Sequence, residues 1–367
     1  MIENPMSAIT LTGQQRVTRA LERRDHDRVP RHDGPWPETF ERWRGEGFVG
    51  DYETFSDWLG SDIDRVCWSW PVPYPGQDQT LAEDEQTRTV RDRMGKVQRI
   101  WKHKSGTPEH LSFGCDSREQ WETHYKPLLL KHGPSLNSDD AAAAFAAARS
   151  KGRWTCLAGI ESFEAIRQLM GDEISLIAMA GDPQWIKDLS RTHTDLILRD
   201  FQAVLDRGVK PDGVWVYGDV GYNHGTFFSP AMYRELIWPD HVRLCRWAHD
   251  HGMKFIYHTD GDVRAFLDLF VEAGYDCIQP MEAKAGMDIR ELAPKYGNDL
   301  TFFGNIDMAL AGTNDRDLIE HEVVSKLAAG MANNGYIFHS DHSIPPGVSW
   351  PTYQFIVELV ERHGVYA

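Results

Sequence analysis

Imidazoles and carboxylates recur where short apolar runs of this chain end. Phe255-Ile-Tyr257 leads into His258-Thr-Asp260-Gly-Asp262, Trp215-Val-Tyr217 into Gly218-Asp219, and Tyr336-Ile-Phe338 into His339-Ser-Asp341-His342. Cys277-Ile-Gln279 leads into Pro280-Met-Glu282, Phe302-Phe303 into Gly304-Asn305-Ile-Asp307, and Val29-Pro30 into Arg31-His32-Asp33. Neutral imidazole and ionised carboxylate together suit zinc, with an open position left for catalysis. The same groups, titrating, carry protons or bind polar substrate atoms. His258-x-Asp260 has the spacing of a metal pair, and His342 is the expected third ligand. On the acid–base reading His258, His342 and Asp219 are the catalytic groups. Each residue also has an ordinary explanation. Asp219 caps a turn, Glu161 caps the helix after its strand, a single His is a satisfied core residue, and Gly304-Asn305 is a turn that lets backbone approach a ligand. What favours chemistry is the repetition at so many strand ends.

The elements that must hold these residues read as short strands alternating with helices. Expected strands are 29–33, 63–70, 154–159, 213–218, 254–258, 277–280, 300–304 and 336–339. Expected helices are 14–24, 117–130, 139–148, 163–170, 183–207, 230–251 (in two pieces around Pro239), 263–273, 289–296, 317–332 and 353–363. Residues 97–102 alternate like a strand in a small excursion. Such alternation implies a parallel sheet with crossover helices, and about eight units make a closed (β/α)8 TIM barrel the best fit, with an elaborated N-terminal third. In that fold the strand ends share one mouth, where active sites form. An open doubly wound sheet is the alternative, but no GxGxxG follows a strand and no GxxxxGK[ST] is present. A single domain over 1–367 is expected, with residues 1–27 carrying a helix that packs on the barrel.

Composition narrows the function classes. Asp plus Glu is 55 against 39 Lys plus Arg, a net charge of −16, which argues against nucleic acid and anionic membrane as partners. No run is long enough to cross a membrane, and the first twenty residues lack a signal-peptide core. The five cysteines are odd in number and none falls in a CxxC, so thiols in a reducing cytoplasm are expected rather than disulfides or a cysteine zinc site. Among the 13 Trp, Trp36, Trp68, Trp70 and Trp215, together with Tyr217, are candidates to hold an aryl or corrinoid face, with core packing the plainer account of at least half.

Several motifs resemble the uroporphyrinogen decarboxylase superfamily, which includes cobalamin-dependent methyltransferases. Arg16-Val17-x-x-Ala20-Leu21 through Asp27-Arg28-Val29-Pro30 is similar to its N-terminal signature, and Ser229-Pro230-x-x-Tyr233 to the segment before a later strand. His258-Thr-Asp260-Gly261 stands where the methyltransferases carry His-x-Cys-Gly. Gly304-Asn305-Ile306-Asp307 resembles the superfamily's Gly-Asn-x-Asp turn. His342-Ser-Ile344-Pro345 stands where decarboxylases carry His-Gly and methyltransferases Cys-Gly. The resemblance implies a TIM barrel, often a homodimer. Two departures bear on activity. The Arg-Gln-Ala-Gly-Arg loop of true decarboxylases is replaced by Arg31-His-Asp-Gly-Pro-Trp36, which argues against an octa-acid substrate. Asp260 and His342 replace the two zinc cysteines of thiol-activating methyltransferases, a harder donor set.

The expected function is therefore corrinoid-linked methyl transfer, as a demethylase or partner methyltransferase of a small methylated substrate. Zinc sits at His258, Asp260 and His342, and the corrinoid on a partner protein. Asn305, Glu282, Trp36, Tyr217 and His32 are the expected substrate-binding residues. The alternatives are a cofactor-free decarboxylase of a small aromatic or pyrrolic acid and a non-catalytic binding barrel.

Overall fold

The computed structural model describes residues 10–103 and 108–366. They fall into two compact units: one of 65–146 and 156–275, the other of the flanking N-terminal residues to Asp64, 147–155 and the C-terminal residues from Asp276.

The unit of 65–146 and 156–275 is built on parallel strands. Cys156 to Ile160, in the strand Trp154–Ile160, pairs in register with Gly213–Tyr217, which pairs in turn with Lys254–His258. These segments are mostly apolar and buried, from Cys-Leu-Ala-Gly-Ile to Gly-Val-Trp-Val-Tyr and Phe-Ile-Tyr, as strands covered on both faces are. The helices Ser162–Gly181 and Pro183–Leu205 connect the first two strands, and Pro230–Leu236 and Trp238–Asp250 the next two. Their starts follow from local chemistry. Asp182 and Ser229 cap the second and third helices through Trp185 and Met232 N–H, each followed by a proline at the first helical position.

The expected helix 163–170 ends at Gly171, whose backbone (φ +79°, ψ 166°) is not helical, and a second helical piece follows it to Gly181. At Gly171 the Phe113 ring lies so close that an added Cβ would sit 2.4 Å from it. Only glycine combines that conformation with that approach. The excursion is a four-stranded antiparallel sheet, Gln79–Glu83, Thr87–Arg91, Val97–Trp101 and Glu109–Ser112; its short, exposed strands went unread apart from 97–102.

In the other unit Cys277–Gln279, Thr301–Phe303 and Tyr336–Ile337 form a parallel set. The helices Ile289–Tyr296, Arg316–Met331 and Trp350–His363 belong to it. Residues 29–33, expected as a strand, make a single parallel bridge, Arg31 to Phe338. Pro30 has no N–H to extend the ladder and contributes only its carbonyl, to Phe338 N–H. The N-terminal helix is Gly13–Leu21, with a capping box between Thr12 and Gln15. Residues 1–9 of the expected N-terminal segment lie outside the described residues. The signature 16–30 is structural here: buried Arg16 bridges Asp27 (2.7 Å) and Asp62 (2.6 Å), and Arg28 also pairs with Asp62 (2.8 Å).

No helix among the described residues is long and apolar enough to cross a membrane. None of the five cysteines is in a disulfide. Burial pushes the Cys67 and Cys115 thiols up to about 12, so both are inert sulfhydryls.

Candidate active site

The strand ends at Tyr217 and His258 are Cα partners, so the residues just past them are neighbours. Asp219, His258 and Asp260 each offer one donor atom, and these atoms lie within 4.8 Å of one another, the one such group of three found among the described residues. His258 Nε2 is 3.7 Å from Asp219 Oδ1 and 3.9 Å from Asp260 Oδ1. Two donors about 2.1 Å from a tetrahedral ion are roughly 3.4 Å apart, so the two imidazole–carboxylate distances are a few tenths of an ångström longer than a bound divalent cation would set. One imidazole and two carboxylates suit zinc and similar borderline ions. All three side chains are partly exposed.

The surroundings aim these donors. Tyr217 OH donates to Asp219 Oδ2 (2.9 Å), and Asp260 N–H donates to Asp219 Oδ1 (2.9 Å). The Tyr217 ring lies against the His258 ring, centroids 4.7 Å apart. Burial raises the Tyr217 phenol well above its ordinary range, so it stays a donor. Thr259 Oγ1 accepts from Val220 N–H (3.1 Å), which ties the two strand ends together. Gly261 (φ +85°) abuts the Gly221–Tyr222 backbone, where a Cβ would lie 2.3 Å from Tyr222 N.

A buried ionic network backs this turn. Glu161 Oε2 accepts from Phe163 N–H (2.7 Å) and His241 Nε2–H (2.6 Å), while Oε1 accepts from Glu164 N–H (2.9 Å). Glu161 therefore does cap its helix, as its sequence position suggests, and also holds a buried imidazole. Tyr233 and Tyr275 hydroxyls meet His241 Nδ1 at 2.8 and 2.9 Å. Burial opposes ionisation of Glu161, but the His241 imidazole and the helix N–H groups outweigh it and hold the carboxyl below its ordinary range. The carboxylate lies flat against Gly218, whose added Cβ would stand 1.8 Å from Oε1. Next to it, Arg167 donates to Glu164 Oε2 (3.0 Å) and to the Asp219 carbonyl (3.3 Å). Burial, only partly offset by Arg167, raises the Glu164 carboxyl.

Of the expected site residues, Asp219, Tyr217, His258 and Asp260 come together. Asp219, read from sequence as an orienting acid, supplies the third donor of the cluster. The remaining residues belong to the other unit. There His342 meets Trp36 edge-on at 5.6 Å. His32 is buried, with Nδ1 3.0 Å from Ser61 Oγ and its ring stacked on His339 at 6.0 Å. Glu282 is buried beside Lys284 (3.1 Å). The Asn305 side chain accepts from Ile289 N–H (2.9 Å) and donates to the Met281 (2.6 Å) and Met287 carbonyls, so its amide holds the 281–289 loop. Arg31 pairs with Glu361 at 2.8 Å.

Two acids of this unit carried no sequence signal beyond their place at strand ends. Asp33 accepts from Ser340 Oγ–H (2.6 Å) and Tyr353 OH (2.8 Å). Asp341 accepts from Met308 N–H (3.0 Å) and Ala283 N–H (3.1 Å), and burial nonetheless pushes its carboxyl up to about 6. Between the ordinary aspartate value near 4 and 6, the folded chain binds the proton and the unfolded chain does not. Stability therefore falls as pH rises through that window, by roughly 3 kcal/mol in total. Asp341→Asn removes the titration, so urea midpoints between pH 4 and 7 should lose that part of their slope while shifting by a constant offset. An unaltered slope would contradict the assignment.

The uroporphyrinogen decarboxylase (URO-D) family model matches residues 149–363. Among solved structures, the chain is similar to a methyltransferase from Methanosarcina mazei, with 14% identity over 96% of this chain and 99% of that chain and a TM-score of 0.66. That likeness shows a shared fold. A comparison with curated proteins gives no match. The N-terminal signature lies ahead of the matched range, but the Ser-Pro segment, both strand-end motifs of the cluster, the Gly304–Asp307 turn and His342 lie within it. With well over half of its length matched, the chain belongs to the uroporphyrinogen decarboxylase (URO-D) family.

Proposed function

We propose that the chain is a metal-dependent methyltransferase that removes a methyl group from a small O- or N-methylated compound, with a corrinoid on a partner protein as the methyl carrier. The observation that carries this reading is the Asp219–His258–Asp260 cluster, a nitrogen and two oxygens within 4.8 Å of one another. Family membership and a fold shared with a methyltransferase support it. In this reading the fold is a closed (β/α)8 barrel forming one domain, supported by the strand–helix alternation in both units. Five cysteines outside any disulfide suit a reducing cytoplasm.

A bound zinc ion supplies positive charge to the oxygen or nitrogen from which the methyl group departs. The chain's own residues do the rest. Tyr217 and the Asp260 N–H fix the rotamer of Asp219, so its donor atom is set before any ion or substrate arrives. The Tyr217 ring fixes the plane of His258 and offers an aromatic edge to substrate. In the other unit, His342 against Trp36 is the acid–base candidate, and His32 and Glu282 are the substrate-side groups. Asn305 acts through the loop it braces.

The test is metal analysis of protein purified without added zinc, followed by methylcobalamin turnover with candidate methyl acceptors and donors. About one divalent ion per chain, lost in His258→Ala, is the expected result. Metal-free protein that gains no ion from added zinc, with no change in the corrinoid spectrum for any acceptor, would refute the proposal.

A second reading is favoured by Asp341, a carboxyl that keeps its proton close to neutrality. It is a carboxy-lyase of a small aromatic or pyrrolic acid, in which a protein acid protonates the carbanion left by carbon dioxide. Release of carbon dioxide from such acids by metal-free protein distinguishes it.

A further inference from the structure

A second concavity lies in the unit of 65–146 and 156–275 and shares no residue with the metal cluster. Its volume is about 410 Å3, the scale of a small-molecule site. One wall is the proline-rich segment after the strand Ile63–Ser69, and the other is the segment 132–135. The walls are fixed to each other and to a long helix. Trp70 N–H donates to Ser135 Oγ (3.1 Å), and His132 Nε2 lies 3.0 Å from the Pro73 carbonyl. Arg199, on the helix Pro183–Leu205, donates to the His132 and Gly133 carbonyls, both at 2.8 Å. The shape therefore exists before any ligand arrives, which lowers the ordering cost of binding.

The lining has a definite chemistry. Val72, Leu129 and the prolines give it an apolar floor, and the Arg93 guanidinium lies over the Trp70 ring at 5.7 Å. Two guanidiniums, Arg93 and Arg199, line it and no carboxylate does, in a chain of net charge −16. The acids that pair with them are outside the lining. Asp78 takes Arg93 at 3.0 Å in an exposed pair, and fully buried Asp200 is already engaged by the Ser69 and Ser135 hydroxyls. Two buried N–H groups of lining residues, Trp70 Nε1 and Arg199 Nε, have no protein acceptor.

We propose that this cavity binds a small organic carboxylate with a planar apolar body, at a site separate from the metal cluster. The carboxylate oxygens meet the guanidiniums, and the apolar body lies against Trp70 and the prolines. Arg is suited to this because its planar fork matches a carboxylate.

The full chain is titrated with benzoate and, as the uncharged isostere, with benzamide, by calorimetry and tryptophan fluorescence. Benzoate is expected to bind saturably and about tenfold or more tighter than benzamide. Arg93→Gln, at a half-exposed position the fold does not need, is expected to weaken benzoate by about fivefold to tenfold, and Trp70→Phe to weaken it and remove the fluorescence change. His258→Ala is expected to leave benzoate binding as it was. The proposal falls if benzoate does not saturate, if benzamide binds as well, if Arg93→Gln and Trp70→Phe bind like the parent while retaining its unfolding midpoint, or if His258→Ala abolishes benzoate binding, which would place the anion on the metal cluster.

Discussion

His258→Ala is expected to lower the affinity for zinc or cobalt(II) by on the order of a hundredfold or more, and methyl transfer with it. The imidazole is the one nitrogen donor of the cluster, and its Nε2 sits between the two carboxylates. Without it, two carboxylate oxygens remain close together with no cation between them, an arrangement that binds weakly and repels itself. Asp260→Asn and Asp219→Asn keep side-chain volume and remove one charge each, so their losses should be smaller and of similar size. Tyr217→Phe keeps the ring against His258 and removes only the hydrogen bond to Asp219 Oδ2, for which about tenfold is expected. Competition against a chromophoric chelator measures all four, and the cobalt(II) absorption spectrum reports whether coordination changes. Since His258 is partly exposed at a strand end, the alanine variant should unfold within about 1 kcal/mol of the parent. An alanine variant that binds cobalt(II) with the parent's affinity and spectrum would remove the cluster from consideration as a metal site.

How far the sequence led is visible in these same residues. His258 and Asp260 were legible because Lys254–His258 is a short apolar run with a clear end, and its boundaries match the structure residue for residue. Asp219 was legible as a strand-end acid, but its part as a donor was not. That depends on the register between two strands whose partners are 41 residues apart, which no local pattern encodes. The helix 163–170 was read to its end at Gly171, but the second helical piece after that glycine was missed, because the glycine answers to Phe113, far off in the chain. Strands of the excursion were missed because exposed antiparallel strands of four or five residues carry little apolar alternation. His241 was invisible: it sits in an ordinary amphipathic helix, and nothing around it announces a buried partner. Asn305 was found as a turn residue, and its positive φ (+81°) is of the kind asparagine tolerates. Its amide, however, is committed to the loop around it rather than left for a ligand.

The Glu161–His241 pair is where the largest stability effect is expected. Glu161→Ala takes away the acceptor of four buried donors at once: His241 Nε2–H, Phe163 N–H, Glu164 N–H and the Ser162 hydroxyl. The helix Ser162–Gly181 loses its cap, and the imidazole keeps only the two tyrosine hydroxyls. Breaking a buried pair on one side costs about 3–5 kcal/mol, a large share of the 5–15 kcal/mol that holds a typical domain together. Glu161→Gln should cost less, because the amide oxygen still accepts from the helix while its NH2 opposes His241 Nε2–H. That conflict is relieved if the imidazole moves its proton to Nδ1 and the hydroxyls of Tyr233 and Tyr275 turn to accept it.

The sign of the pH dependence follows from the lowered carboxyl. Its contribution is present above the ordinary glutamate range and is lost as pH falls through the lower folded value. The parent should therefore lose stability more steeply on acidification than Glu161→Ala does. A second readout separates support of the cluster from plain stability. Because the carboxylate lies against Gly218, the residue before Asp219, Glu161→Gln should shift the cobalt(II) spectrum and weaken the ion by several-fold in protein that is still fully folded. If Glu161→Ala costs less than about 1 kcal/mol in urea unfolding, the pair is not the anchor of this turn, and the placement of Asp219 must rest on Tyr217, the Asp260 N–H and Arg167.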